Sequence, residues 1–340
     1  MMMALPRDAL RVLAGAPVVV EGQTLDVQTQ LMLDSMRRLG IVQSEDVERS
    51  RRDMEEDKHA VAPVPPSMES ERDVLIGDLR ARIYRPRTAV AGSAEGGTAQ
   101  SAMRKPGMLV YFHGGGFVCG SIDSHEEPVK MLAHESGVVV CSVDYRLGPE
   151  HMFPAAVDDA VFAYAWARDH AAEFGADPKR VGVGGDSAGG NMSAVACHLC
   201  KQRGIPQPTL QLLIYPAIDW SRSCASHKTF AKGFFLEDAR TYWFEKRYLN
   251  SLEERDDPRA SPMKFGDCKN LAPATIVTAG FDILRDEGAK YAEMLARSGN
   301  RVDFCVETSL IHGFFNMGGV VSLARAANAR IAARVKEALG

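Results

Sequence analysis

From residue 107 onward, short apolar runs rich in β-branched residues alternate with longer segments whose apolar positions recur at helical spacing. This alternation predicts a mostly parallel sheet covered by helices. Strands are predicted at 108–112, 138–143, 180–183, 210–215, 275–279 and 302–307. Val138-Val139-Val140 and Leu212-Leu213-Ile214 are unbroken apolar stretches, the pattern of strands covered on both faces. Helices fit between them at 126–135, 155–170, 188–202 and 286–298, with a last one from about 323. Upstream, 74–76 and 80–84 suit an antiparallel hairpin that extends the sheet.

Three pieces fall outside this rhythm. In the amino-terminal segment, Leu25, Leu31, Met32 and Met36 suggest a short amphipathic helix, followed by a charged run from Glu45 to Lys58. Residues 88–106 are rich in Gly, Ala and Ser without periodicity and read as a mobile surface loop, to which no role is assigned. Residues 218–262 interrupt the alternation with Phe230, Phe234, Phe235, Tyr242, Trp243, Phe244 and Tyr248. Such density suits either the core of a small helical subdomain or a cap whose apolar underside forms an acyl pocket.

Length and composition narrow the function without naming it. The 340 residues suit one large α/β domain with an accessory element, and 46% hydrophobic with 25% charged residues is ordinary for a globular protein. A net charge of −4 gives no reason to expect a nucleic-acid partner. No apolar run approaches the roughly 20 residues of a membrane span. The first twenty residues mix Arg7, Asp8 and Arg11 with short apolar pieces, unlike a signal peptide, so the expected location is cytoplasmic. The seven cysteines agree, being odd in number and without a disulfide-framework spacing. Cys197, His198 and Cys200 lack a second ligand pair nearby and read as helix-face residues, so no metal is expected.

Four stretches carry chemistry. Ser187, in Gly185-Asp-Ser-Ala-Gly189, falls on the turn between a predicted strand and helix, where a strained nucleophile needs small neighbours. His312 follows the last predicted strand by a short loop, with Gly313 allowing a bend, and is the expected base. His113 is fixed inside a glycine loop, and His125, His134 and His151 precede the serine. The acid that orients the imidazole is Asp282, just after a predicted strand, with Asp286 as its rival at the start of the next helix. The loop His113-Gly-Gly-Gly-Phe117 lets backbone N–H groups approach a reacting oxygen, giving Gly114, Gly115 and Ala188 as oxyanion-hole donors. The chain order Ser, acid, His, with a glycine loop upstream, is that of an α/β-hydrolase.

At these residues the chain resembles the hormone-sensitive-lipase group of α/β-hydrolases, the family IV esterases. The resemblance rests on residues 111–117, Asp144-Tyr-Arg-Leu-Gly-Pro-Glu-His151, Phe153-Pro-Ala-Ala156, 185–190, 282–286 and 312–314. Ile283 stands where the family commonly has proline, and the 88–106 stretch looks longer than usual. The resemblance implies an eight-stranded sheet flanked by helices, and a helical cap built from the amino terminus plus an insertion. It also implies hydrolysis of short- to medium-chain carboxylic esters, a Ser187–Asp282–His312 triad and no cofactor. Arg146 and Glu150 are expected to hold structure near the site.

The expected division is 1–65 as the first part of the cap, 66–217 as the first part of the catalytic domain, 218–262 as the cap insertion and 263–340 as the remainder. Phe230, Phe234, Phe235 and Met36 are the expected pocket residues. The expected partner is a small ester, and the family's edge-to-edge pairing would make a homodimer. The same machinery also serves thioesters, lactones, arylformamides or carbamates. Plant hormone receptors resemble this family without its catalytic histidine, which is intact here.

Overall fold

The computed structural model describes residues 6–41, 43–87 and 105–340. The loop expected at 88–106 lies, up to residue 104, outside them. The chain enters through α1 (Arg7–Ala14), a small hairpin of β1 (Val19–Val20) and β2 (Gln23–Thr24), then α2 (Val27–Arg38) and α3 (Val47–Val61). A second hairpin, β3 (Ser70–Ile76) and β4 (Leu79–Arg85), opens the main sheet. The alternation follows: β5 (Met108–Phe112), α4 (Glu126–Ser136), β6 (Val139–Val143), α5 (Ala155–His170), β7 (Val181–Asp186), α6 (Ala188–Gln202) and β8 (Gln211–Ile214). Beyond α7 (Ser226–Thr229) and α8 (Asp238–Tyr248) come β9 (Ala274–Phe281), α9 (Arg285–Arg297), β10 (Val302–Ile311) and α10 (Ser322–Leu339).

The eight strands order as β10-β9-β8-β7-β5-β6-β4-β3, and β4 alone runs against the others. Strand β5 shows why both faces must be covered. Met108, Val110 and Phe112 join the core shared with α5 and α6, while Leu109 and Tyr111 join the core shared with α4 and α10. Period-two alternation thus feeds two apolar layers from one five-residue strand.

The strand order also fixes where a site can form. From β5 the chain steps outward to β6, then crosses back to β7 on the other side of β5. The loops leaving β5 and β7 therefore diverge, and a crevice opens between their carboxyl ends. The glycine loop follows β5 and Ser187 follows β7, so both sit at that switch point.

Two elements differ from expectation. The charged run becomes the helix α3, capped where Asp46 accepts a hydrogen bond from the Arg49 N–H at 2.7 Å. Its few apolar positions, Val47 and Met54 among them, pack against Trp243 and Val118, a face too sparse to stand out beside so many charges. Strand β10 continues four residues past the predicted end, to Ile311, with an irregular register between Glu307 and Ile311. His312 consequently follows the strand directly, not by a short loop.

Candidate active site

Ser187 occupies a backbone conformation that side chains avoid, with φ 54° and ψ −113°. Three hydrogen bonds hold it there: its N–H donates to the Ile214 carbonyl at 2.8 Å, and its own carbonyl accepts from Asn191 and Ala217. The flanking glycines are a packing necessity. A Cβ on Gly189 would stand 1.8 Å from the Phe112 carbonyl oxygen, and one on Gly185 would stand 2.2 Å from the same atom. Without side chains there, α6 can begin directly against β5 and present its amino terminus at the serine.

His312 completes the arrangement from the far side of the sheet. Its Nε2 lies 3.0 Å from Ser187 Oγ, and its Nδ1 lies 2.8 Å from Asp282 Oδ2. Asp282 is fully buried, and its other oxygen accepts from the Leu284 N–H at 2.9 Å, which fixes the carboxylate's orientation. With the carboxylate on Nδ1, the tautomer leaves Nε2 bare toward the hydroxyl. Asp286, the rival acid, instead accepts from the Ser226 N–H and from Arg285 Nε. Among the other histidines weighed, His125 lies against Asp186, while His134 and His151 are exposed.

The glycine loop departs from expectation at one position. The Gly114 N–H donates to Asp186 Oδ1 at 2.9 Å and so is already engaged. A Cβ on Gly114 would also run into the same carboxylate. Among the described residues, the N–H groups of Gly115, Gly116 and Ala188 have no hydrogen-bond acceptor, and Gly116 and Ala188 line the cavity beside Ser187. Asp186 was expected only as a motif letter, yet it ties the serine turn to the glycine loop. It also accepts from the Tyr111 hydroxyl at 2.8 Å. Burial opposes its ionisation, but His125 and Tyr111 outweigh that and bring the carboxyl below its ordinary value. His113 stacks on Tyr145 with centroids 4.3 Å apart, and burial, reinforced by His125, pushes it down to about 3. It is a neutral structural ring, its Nδ1 2.8 Å from the Gly114 carbonyl.

A cavity of about 50 Å³ opens beside Ser187. Its apolar wall is Phe117, Ala217, Trp220, Leu236, Phe244 and Leu284. Asp219, Arg222, His227, Thr241 and Glu287 supply the polar remainder. None of the four expected pocket residues lines it. Phe230 is fully buried against Phe281 and Phe234, and Met36, Phe234 and Phe235 pack on that same core cluster. Phe235 reaches Gly313, next to His312, without entering the cavity wall. The insertion does reach the site, with Trp220, Leu236 and Phe244 on the apolar wall, and the Phe244 ring occupies the space a Gly116 side chain would need. Aromatic density could not distinguish which rings face the serine, since that depends on how α8 docks. His227 and Glu287, bonded at 2.8 Å across 60 positions of sequence, carried no spacing signal at all. Burial pushes the Glu287 carboxyl up despite His227 and two backbone N–H donors.

The remaining expectations find ordinary places. Arg146 clamps Asp159, and Glu150 pairs with Arg51 of α3 at 2.7 Å. Cys197 and Cys200 are buried on α6 with thiols pushed up by burial, and His198 stacks on Phe265 at 3.9 Å.

A buried carboxylate, an imidazole and a strained serine at a switch point define an α/β-hydrolase in both fold and site. Comparison with known proteins agrees. A family described as alpha/beta hydrolase fold matches residues 109–316. The carboxylic ester hydrolase LipN of Mycobacterium tuberculosis is 41% identical over 330 residues, covering 92% of this chain and 83% of its own. The ethyl acetate hydrolase of Pseudomonas putida is 38% identical over 247 residues, 72% of this chain and 73% of its own. A solved ester hydrolase from the metagenome of Lake Arreo superposes with a TM-score of 0.83 at 37% identity, covering 92% of this chain and 98% of that one. The chain belongs to the hormone-sensitive-lipase group of α/β-hydrolase-fold esterases.

Among the described residues no helix is long and apolar enough to cross a membrane.

Proposed function

We propose that the protein is a serine carboxylesterase acting on short- to medium-chain acyl esters through a Ser187–His312–Asp282 triad. The observation that carries this reading is the unbroken pair of hydrogen bonds, 2.8 Å from Asp282 to His312 and 3.0 Å from His312 to Ser187. His312 Nε2 takes the hydroxyl proton as Ser187 Oγ attacks the ester carbonyl. The C–O bond to the alcohol breaks as His312 returns that proton to the leaving oxygen, giving an acyl-serine. Water, deprotonated by His312, then releases the acid and restores the serine.

The tetrahedral oxyanion is held by the N–H groups of Gly115, Gly116 and Ala188, one residue along the loop from the Gly114–Gly115 pair of the family expectation. Support comes from the Gly114 N–H, which Asp186 already occupies. Residues 1–65 and 218–262 act together as the cap. Trp243 Nε1 on α8 donates to the Glu45 carbonyl at 3.0 Å, and Arg51 on α3 reaches the Val118 carbonyl beyond the glycine loop, which supports a single joined lid. We place the enzyme in the cytoplasm, in keeping with seven free cysteines, of which six are buried.

Ser187→Ala tests the assignment. Hydrolysis of p-nitrophenyl butyrate should fall by at least about four orders of magnitude with an unchanged circular dichroism spectrum. Retained turnover would remove Ser187 from the mechanism.

A further inference from the structure

The apolar walls of the cavity beside Ser187 are held in different ways. Phe117 stacks on Tyr248 with centroids 3.9 Å apart and planes 5° from parallel, and Trp220 lies 6.1 Å from both rings. All three belong to the buried main core, so packing fixes that wall. Among the described residues on the wall, Phe244 alone is an aromatic ring that is only partly buried. It meets Trp243 edge-on at 5.3 Å, with the Arg240 guanidinium carbon 4.7 Å from its centroid.

The position of Phe244 is unusual in a second respect. It packs against the main core, against the Val118–Cys119–Trp243 group, and against the Leu236–Ile283–Leu284 group that follows the catalytic acid. Its ring also fills the space beside Gly116. Gly116, Leu236, Phe244 and Leu284 all line the cavity. One ring from the insertion thus joins the glycine loop to the group beside Asp282 along the wall.

Stereochemistry decides which half of an ester meets this wall. The leaving oxygen must reach His312 Nε2, which returns its proton. The cavity is lined by Ser187, Gly116 and Ala188, the nucleophile and two oxyanion donors, while His312 is not among its lining residues. The alcohol is therefore directed to the His312 side and the acyl chain into the cavity. About 50 Å³ admits roughly four water-sized groups, the tail of a butanoyl or pentanoyl chain.

Resting on the esterase reading above, we propose that Phe244 is the specificity-determining residue that limits the acyl chain to about five carbons. Shortening it extends the cavity toward the partly exposed side and leaves the Phe117–Trp220–Tyr248 wall in place.

The test measures kcat/KM on p-nitrophenyl acetate, butanoate, hexanoate and octanoate, below their micellar concentrations, for wild type, Phe244→Ala and Phe244→Trp. Wild type should peak at butanoate and fall at least about ten-fold by octanoate. Phe244→Ala should raise the hexanoate-to-butanoate ratio at least about ten-fold, because two further methylenes gain apolar cover worth about four-fold each. Phe244→Trp should lower the butanoate-to-acetate ratio at least about three-fold, because the larger ring intrudes on the chain. A disturbance of the oxyanion loop through Gly116 slows all four esters alike and cancels in these ratios. The hexyl acetate to ethyl acetate ratio should stay within about two-fold of wild type in Phe244→Ala, since the alcohol lies elsewhere. A wild type as fast on octanoate as on butanoate would overturn the proposal, whether or not the variants fold. So would an unshifted acyl ratio in either variant, or a shift confined to the alkyl acetates. If Ser187→Ala hydrolyses these esters as fast as wild type, or wild type hydrolyses none of them, the esterase reading fails and this one with it.

Discussion

Asp282 and Asp286 lie four residues apart, and either could serve a helix terminus or an imidazole. Their partners separate them: one faces His312, the other Ser226 and Arg285. Asp282→Asn should lower kcat by about three to four orders of magnitude, because an amide favours the wrong imidazole tautomer. Asp286→Asn should stay within a few-fold. Steady-state rates on p-nitrophenyl butyrate check both, and a reversed ranking would hand the role to Asp286. A run of three glycines announces a loop that can approach an oxyanion, but not which N–H groups stay free. Asp186 decides that, and its direction depends on Tyr111 and His125, which meet it only in the folded chain.

Among the elements, the β7–α6 junction was legible because strand, turn and helix are consecutive, and its glycine spacing encodes contacts with one strand neighbour. Gly189→Ala should cost about 3 kcal/mol or more, because its new methyl would overlap the Phe112 carbonyl. Gly204 also has positive φ, at 67°, but nothing lies within 4 Å of its missing Cβ. Gly204→Ala should therefore cost only the conformational term, about 1 kcal/mol. Urea unfolding of the two variants measures the difference, and equal midpoints would contradict the packing argument. The elements over the site were less legible. Helix α8 carries rings on several faces, and which of them meets Gly116 is set by its anchoring through Trp243 to Glu45.

For the whole molecule, acid stability follows from histidines that the fold keeps neutral. Burial pushes His113 down to about 3 and His198 down to about 4. Unfolded, each titrates near 6.5. Above that value both states are unprotonated and these groups leave stability independent of pH. As pH falls below it the unfolded chain takes up two protons that the native one refuses, so stability declines until the folded pKa values are reached. The slope should be on the order of 2 kcal/mol per pH unit between about pH 6 and 4.5. Urea midpoints should be flat near pH 7 to 8 and fall below 6, and His198→Phe should reduce the slope. A profile flat to pH 4.5 would exclude these groups as neutral in the native state.

The sequence by itself determined the alternating architecture, the order of serine, acid and histidine, and the strained turn, because each rests on residues that are neighbours in the chain or on periods within one element. Tertiary structure alone decided which glycine N–H groups remain free. It likewise decided that Trp220, His227 and Phe244 face the serine in place of Phe230, Phe234 and Phe235. Those outcomes depend on partners tens to hundreds of residues away, whose approach is set by the docking of whole elements, and no local period records it.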